Sequence, residues 1–487
     1  MNYILKCLSF VFLVVSFNSA WSQNKNSNGV SKLKEEAIQN IQSGYSTYKD
    51  IASQIWDFAE VGYKEVKSSA LLQKTLSDNG FQVKAGVAGI PTAFVASYGS
   101  GKPVIGILAE YDALPGLSQE AIPERKAIES KNAGHGCGHN LFGTASVASG
   151  LEIKKMIEQK KLTGTIRVYG CPAEEGGSGK VYMVREGLFN DVDVVIHWHP
   201  NDENAVTMTK ALANSSAKFR FHGISSHAAM APERGRSAVD AVEAMDNMVN
   251  MMREHIPQET RIHYVITNGG KAPNVVPDFA EVYYYVRNPD RTLVQSIFER
   301  VVKAAKGAAM GTETTTDYEI IGGTYDLLIN NTLAVAMQKN LEKVGGVTYT
   351  PQEIEFGKKL QSSFDFKAPL IESAATVKPL KPVGDAGGGS TDVGDVSWTV
   401  PTVGLGAATW IPGTSAHSWQ AVACGGTEIG IKGLMVAAKT MALTAIDLYT
   451  DSSLIEKAKG EFNKARGDNF QYKALLGDRK PALNYRD

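Results

Sequence analysis

Cysteine is scarce in this sequence, four residues in 487, and neither sign of charge dominates: 50 Lys and Arg face 51 Asp and Glu, a net charge of −1. The three cysteines beyond the first segment, Cys137, Cys171 and Cys424, are too few and too odd in number for a disulfide framework. No CxxC or resolving cysteine is present, which makes a redox role for Cys137 the weakest reading. No run of Lys or Arg forms a phosphate-binding stripe, so nucleic acid is not an expected partner. Long apolar runs are lacking too, except near the start, in "MNYILKCLSFVFLVVSFNSAWSQ". There Lys6 precedes an apolar stretch, and Ala20–Ser22 offers a small-x-small cleavage site. Residues 1–22 therefore read as a secretory signal peptide, with an uncleaved anchor as the alternative. The expectation is export, to a periplasm or beyond, with no membrane association after cleavage.

What is present is an ordinary folded composition, 43% hydrophobic and 21% charged, in a chain too long for one hydrophobic core. Up to about Pro200, strand-like runs ("KPVIGILAEYDALPG", "TIRVYGC", "DVDVVIHWH") alternate with helical patterns ("LFGTASVASGLEIKKMIEQKK", "KVYMVREGLF"). That alternation predicts an α/β domain with a mostly parallel sheet, whose ligand site lies beyond the strands' carboxyl ends. Glu110 and Asp112, Glu174 and Glu175, His197 and His199 all fall at such ends. Between about Asn214 and Tyr325 the order becomes βαββαβ, a ferredoxin-like unit complete in itself. The predicted organisation is a catalytic domain in two parts, 23–213 and 326–450, interrupted by an inserted domain at 214–325. The polar extension 451–487 is expected to pack peripherally or to stay mobile.

The chemistry-bearing groups in chain order are Asp112, Cys137, His139, Glu174, Glu175, His197, His199 and His417. Thiolate, imidazole and carboxylate are ligands that zinc accepts, and the thiolate disfavours magnesium or calcium. "GHGCGHN" alone is equally well a tight turn before a helix. "PAEEGG" strengthens the metal reading, because adjacent carboxylates resist joint ionisation unless a cation neutralises one. One glutamate is then free to serve as general base to a metal-activated water. The bland alternative is a pair of solvated glutamates on a loop. The Gly-rich "GDAGGGSTDVGDVSW" lacks both P-loop and dinucleotide spacing and reads as an active-site loop. Within it, Asp392 either supports a ligand or caps a helix.

Taken together, "ILAEYDALPG", "GHGCGHN", "CPAEEGGSGK", "IHWHP", "SSHAAMAPERGRSAVDAV", "NVVPD", "GGGSTDVGDVSW" and "AHSWQ" resemble the di-metal aminoacylase/carboxypeptidase superfamily. The resemblance is to its amidohydrolase branch, whose first ligand motif carries a Cys, and it covers about Lys32 to Thr450. It implies a zinc-peptidase-like sheet with helices on both faces, and an inserted lid that forms a homodimer. It also implies two divalent ions, zinc or manganese, held by Cys137, His139, Glu175, His199 and His417, with Cys137 bridging. His197 competes with His199, since i and i+2 on a strand face one side. Glu174 matches the general base, and His227 the imidazole that reaches across the dimer to the oxyanion. Asn274 and Arg287 match substrate-gripping positions, and Asp112 a ligand-orienting one, while Glu110 and His135 are equally well structural. The implied activity is hydrolysis of the amide bond of an N-acyl amino acid of the aminobenzoyl-glutamate type. The alternatives are an exported metallo-dipeptidase or carboxypeptidase, and a non-catalytic metal- or peptide-binding protein.

Overall fold

The computed structural model describes residues 28–385, 387 and 389–487; the expected signal peptide at 1–22 lies outside them. Thirteen strands are described: β1 (Gln82–Ala85), β2 (Phe94–Gly99), β3 (Val104–Ala109), β4 (Leu114–Pro115), β5 (Ala133–Gly134), β6 (Thr165–Gly170) and β7 (Val194–Asn201). They continue with β8 (Ala205–Val206), β9 (Ala213–His222), β10 (Arg261–Asn268), β11 (Phe279–Asn288), β12 (Thr315–Thr324) and β13 (Thr402–Ala408). Seven of them form one sheet in the order β1-β2-β6-β3-β7-β13-β8. Its centre, β6-β3-β7-β13, is parallel, and antiparallel strands close both edges.

The central strands are buried on both faces, so they read as unbroken apolar runs rather than alternating ones. In β3 all six residues are buried. Ile105, Ile107 and Ala109 join the core beneath helices His139–Glu158 and Glu428–Thr450. Val104 and Leu108 point the other way, into a core shared with helix Gly179–Arg185 and helix Val393–Ser397. Helix Glu428–Thr450 is long and apolar enough to cross a membrane, contrary to the sequence reading that no such run follows the first segment. Its side chains are taken up by the fold, where 89% of that stretch is buried.

Strands β9 to β12 form a separate antiparallel sheet in the order β10-β11-β9-β12. Helices Ala238–Met252 and Arg291–Gly311 cover one face and seal a core of their own. With the chain order βαββαβ this is the ferredoxin-like arrangement, and the α/β expectation with an inserted ferredoxin-like unit is met.

The segment after Asp451 packs peripherally, one of the two expected arrangements, with most of its residues exposed or half-buried, and it is tied down along its length. Helix Ser452–Arg466 packs on the sheet's helices, and residues 467–487 then run back across both units. Arg479 Nη1 donates to the Ile321 carbonyl of β12 (2.6 Å), and Arg185 Nη1 donates to the Arg479 carbonyl (2.7 Å). Its polar side chains bind backbone carbonyls of both units, a use that composition does not reveal.

Candidate active site

The parallel strands deliver their carboxyl ends to one edge, and the turns that follow them carry the reactive groups. After β3 comes Asp112, whose buried carboxylate does two things. Oδ1 lies 2.8 Å from His139 Nδ1, and Oδ2 accepts the Glu175 backbone N–H at 2.9 Å. The first contact favours the tautomer with the proton on Nδ1, which presents Nε2 as a lone-pair donor on the side where Glu110 Oε2 lies 3.1 Å away. Burial would raise the Asp112 pKa, but the imidazole beside it holds the carboxyl below its usual range. Gly138 precedes the helix with φ 73°, a left-handed conformation that glycine takes without strain and that lets Cys137 and His139 face one point.

Cys137 Sγ lies 3.4 Å from His199 Nε2, and His199 Nδ1 is engaged by the Pro200 carbonyl at 2.7 Å. That backbone contact again leaves Nε2 as the open donor. Burial drives the His199 pKa down to about 4, so its imidazole is neutral near pH 7. Burial also raises the Cys137 thiol well above its usual value, and a metal cation is what favours the thiolate in such a place. His197, on the same face of β7, packs instead against β13, where a Cβ on Gly404 would sit 2.2 Å from its Nε2.

The turn after β6 carries Glu174 and Glu175. Glu65, wholly buried, accepts the Ala173 N–H (2.8 Å) and the Thr92 hydroxyl (3.0 Å) and so fixes the start of that turn. Ala173 and Ser178 on either side of the pair, and His417 opposite, all have φ between 56° and 58°. Non-glycine residues seldom adopt this region, and three of them around one turn are strain of the kind functional sites retain. His417 Nε2 lies 3.0 Å from Glu175 Oε1. Glu174 is raised well above the usual carboxylate range, by burial first and then by the charges of Glu110 and Glu175.

Nothing in the sequence singles out Lys180, where "GSGK" looks like an ordinary helix start. Its side chain is fully buried, with Nζ 2.6 Å from both Glu110 Oε1 and Asp392 Oδ1. Asp392 Oδ2 also accepts the Lys180 backbone N–H at 2.9 Å, and it makes no side-chain cap on the helix it precedes. The capping alternative for Asp392 therefore gives way to an ion pair behind the site. His135 is held by the Ile55 carbonyl at 3.0 Å, away from the donor cluster.

These groups line a cleft of about 800 Å³ between the two units. From the sheet domain come Cys137, Glu174, Glu175, His199, His417 and Asp392; from the inserted domain come Asn214, Arg287 and Thr324. The last three are cross-strand neighbours in one row over β11, β9 and β12, and each has a buried polar atom without a hydrogen-bond partner. His227 and Asn274 are elsewhere. They sit side by side on exposed loops of the inserted domain, where the Asn274 carbonyl accepts the Ala228 N–H (3.0 Å), and neither lines this chain's cleft. His227 Nδ1 accepts the Ala229 and Met230 N–H groups, both at 3.2 Å, which leaves its outward Nε2 as a donor.

The donor set fits metal ions. Cys137, His139 and His199 form one group with all donor atoms within 4.8 Å of one another, and Cys137, Glu175 and His417 form a second. The two groups share the Cys137 sulfur. His139 Nε2 and Glu175 Oε1 are buried and make no well-aligned hydrogen bond. Each only faces another donor atom of the cluster, Glu110 Oε2 at 3.1 Å and His417 Nε2 at 3.0 Å, and such converging buried atoms suit a cation. A third group, Glu110, His139 and Glu174, meets the same distance limit, but Glu110 is already engaged by Lys180.

Comparison with known proteins agrees with this geometry. Residues 213–313 match the peptidase dimerisation domain. The chain is 43% identical to one of the subunits of the p-aminobenzoyl-glutamate hydrolase of Escherichia coli (strain K12), over 86% of this chain and 93% of that one. It is 29% identical to the Xaa-Arg dipeptidase of Mus musculus, over 88% and 92% of the two chains. Two solved structures share the fold. A dinuclear metal-binding peptidase of the M20 family from Bacillus subtilis has a TM-score of 0.58 at 15% identity, covering 84% of this chain and 99% of its own. The aminobenzoyl-glutamate utilization protein from Klebsiella pneumoniae also has a TM-score of 0.58, at 18% identity over 85% and 98%. With this fold, this donor cluster and so close a relative over most of its length, the chain belongs to the M20 family of metal-dependent amide and peptide hydrolases.

Proposed function

We propose that this protein hydrolyses the amide bond of N-acyl amino acids of the aminobenzoyl-glutamate type, with two divalent ions, zinc or manganese, in the cleft. The observation that carries this reading is the pair of donor groups joined at Cys137, with Glu174 beside them. Cys137, His139 and His199 would hold one ion, and Cys137, Glu175 and His417 the other. When bound, such a pair activates water and polarises a carbonyl.

The chain's own residues do the rest. Asp112 keeps His139 in the tautomer that presents Nε2, and it steadies the Glu175 backbone. Glu174, whose carboxyl holds a proton readily in this buried and acidic setting, takes one from the attacking water and passes it to the leaving amine. Arg287, in the floor of the inserted domain's sheet, offers a planar fork to the substrate carboxylate. His227, exposed and outside its own cleft, supports a role in the cleft of a second copy, as donor to the developing oxyanion, with Asn274 beside it. That reading makes the assembly a homodimer; the Escherichia coli relative is named as one subunit of its enzyme, which raises a heteromer as the competing arrangement. The leader-like residues 1–22 support export, to a periplasm or beyond.

The test is amine release from aminobenzoyl-glutamate, a panel of N-acyl amino acids and a panel of dipeptides, with metal-loaded wild type beside Glu174→Gln. Wild type should cleave the acyl amino acids, and Glu174→Gln should lose about 10²- to 10⁴-fold in kcat with its metal content unchanged. Undiminished turnover in Glu174→Gln would end the general-base assignment. Cleavage of dipeptides alone would move the protein to the dipeptidase side of the family.

A further inference from the structure

The cleft holds a cation that no motif announces. Residues 467–487 end their path across the molecule at the metal-site turn, where Tyr485 OH (2.9 Å) and Arg486 Nη2 (2.7 Å) both donate to the Glu175 carbonyl. The approach is built into the surroundings. A Cβ on Gly62 would lie 2.1 Å from Tyr485 OH, and the Tyr485 ring stands edge-on to Tyr63 at 5.5 Å. Lys64 pairs with Asp487 at 2.5 Å, so the carboxylate next to Arg486 in sequence is already taken.

Arg486 lines the same cleft as Arg287. Among the described residues neither guanidinium forms an ion pair, and the Nε of each is buried without a hydrogen-bond partner. Both arginines are half-buried with that Nε out of reach of water, and two guanidiniums without an ion pair on one cleft leave two places for anions. The cleft's own carboxylates do not serve: Glu110 and Asp392 are taken by Lys180, Glu175 faces His417, and Glu174 forms no ion pair with either guanidinium. Lys210, the remaining Lys or Arg on the lining, is exposed.

We propose that Arg486 is a specificity-determining anchor for a second substrate carboxylate. With Arg287 taking the first, the cleft is matched to N-acyl acidic amino acids over neutral ones. This rests on the amidohydrolase reading for its substrate class, but binding tests it without turnover. Tyr485 is the positioning residue that holds the arginine against the Glu175 carbonyl.

The experiment is calorimetric titration of the metal-loaded protein with N-acetylglutamate and with N-acetylglutamine, which differ by one carboxylate. It is run in a Glu174→Gln background that binds without cleaving and stands as the wild type for Arg486. Wild type should prefer the glutamate by about tenfold or more, the scale of a charge-assisted hydrogen bond. R486Q should bring that ratio close to one while the glutamine affinity stays within about twofold of wild type, and R486K, which keeps charge without the fork, should retain part of the preference. Equal weakening of both ligands in R486Q would make the segment a structural strap and overturn the proposal. So would a wild type without preference, or an R486Q and R486K pair that both keep it in full. Preferential binding of N-acetylglutamate in that background, with no acyl amino acid cleaved by the protein that keeps Glu174, would count against the amidohydrolase reading and leave the anchor standing.

Discussion

At the scale of single residues, two buried groups behind the ligands carry most of the organisation. Asp112 couples an imidazole tautomer to the backbone of the glutamate turn, so Asp112→Asn should free His139 to flip and reduce metal affinity by about 10- to 100-fold, read by competition against a chromogenic chelator. An unchanged affinity would show that the tautomer is held by something else. Lys180 neutralises Glu110 and Asp392 with no access to water. Removing it strands two carboxylates, and Lys180→Met should cost about 3–5 kcal/mol in denaturant unfolding, the usual consequence of breaking a buried ion pair from one side. A loss below about 1 kcal/mol would place the cluster in contact with solvent. Lysine is so often a solvated surface residue that nothing local in "GSGK" separates this one from the rest.

Elements position these residues, and the short helix Val393–Ser397 is the most telling. Its Asp395 accepts the Tyr325 N–H at 2.9 Å and the Tyr472 hydroxyl at 2.7 Å, tying the exit of the inserted domain and the 467–487 segment to one carboxyl. Burial raises that carboxyl from 3.8 to about 7. The folded state therefore keeps a proton that the unfolded chain has lost. The stability this contributes is complete below the unfolded value and fades as pH rises through the folded one. Asp395→Asn, which cannot ionise, should gain on wild type in thermal midpoint from about pH 5 to about pH 8. A constant gap between the two across that range would mean that the carboxyl ionises in the folded protein as it does in the unfolded chain.

On the scale of the whole molecule, the inserted domain presents an edge that asks for a partner. β10 ends its sheet, and Tyr264, Val265 and Ile266 on it are 37%, 55% and 42% exposed. An apolar edge strand left open is a pairing surface, and this one lies in the peptidase dimerisation domain. On the homodimer proposed above, Val265→Glu should shift sedimentation from a dimer to a single chain and lower turnover in parallel, since the outward His227 would then have no second cleft to enter. A variant that sediments as a dimer at full activity would move the interface elsewhere on the domain.

Periodicity and strand ends bring the fold into view from the sequence alone. Parallel strands connected through helices point the same way, so their carboxyl ends share one edge whatever the packing details. That is why Asp112, Glu174, Glu175 and His199 group together without any coordinate, and why β11 reads directly from "FAEVYYYVRN". The βαββαβ order likewise follows from local patterns in chain order. What the tertiary structure alone decided are the contacts between distant segments that no period encodes. Lys180 and Asp392 lie 212 residues apart, and Arg486 and Glu175 are separated by 311. A buried charge and its partner look like any other polar residues until the fold removes the water between them, and only then do their energies decide where the substrate's charges will sit.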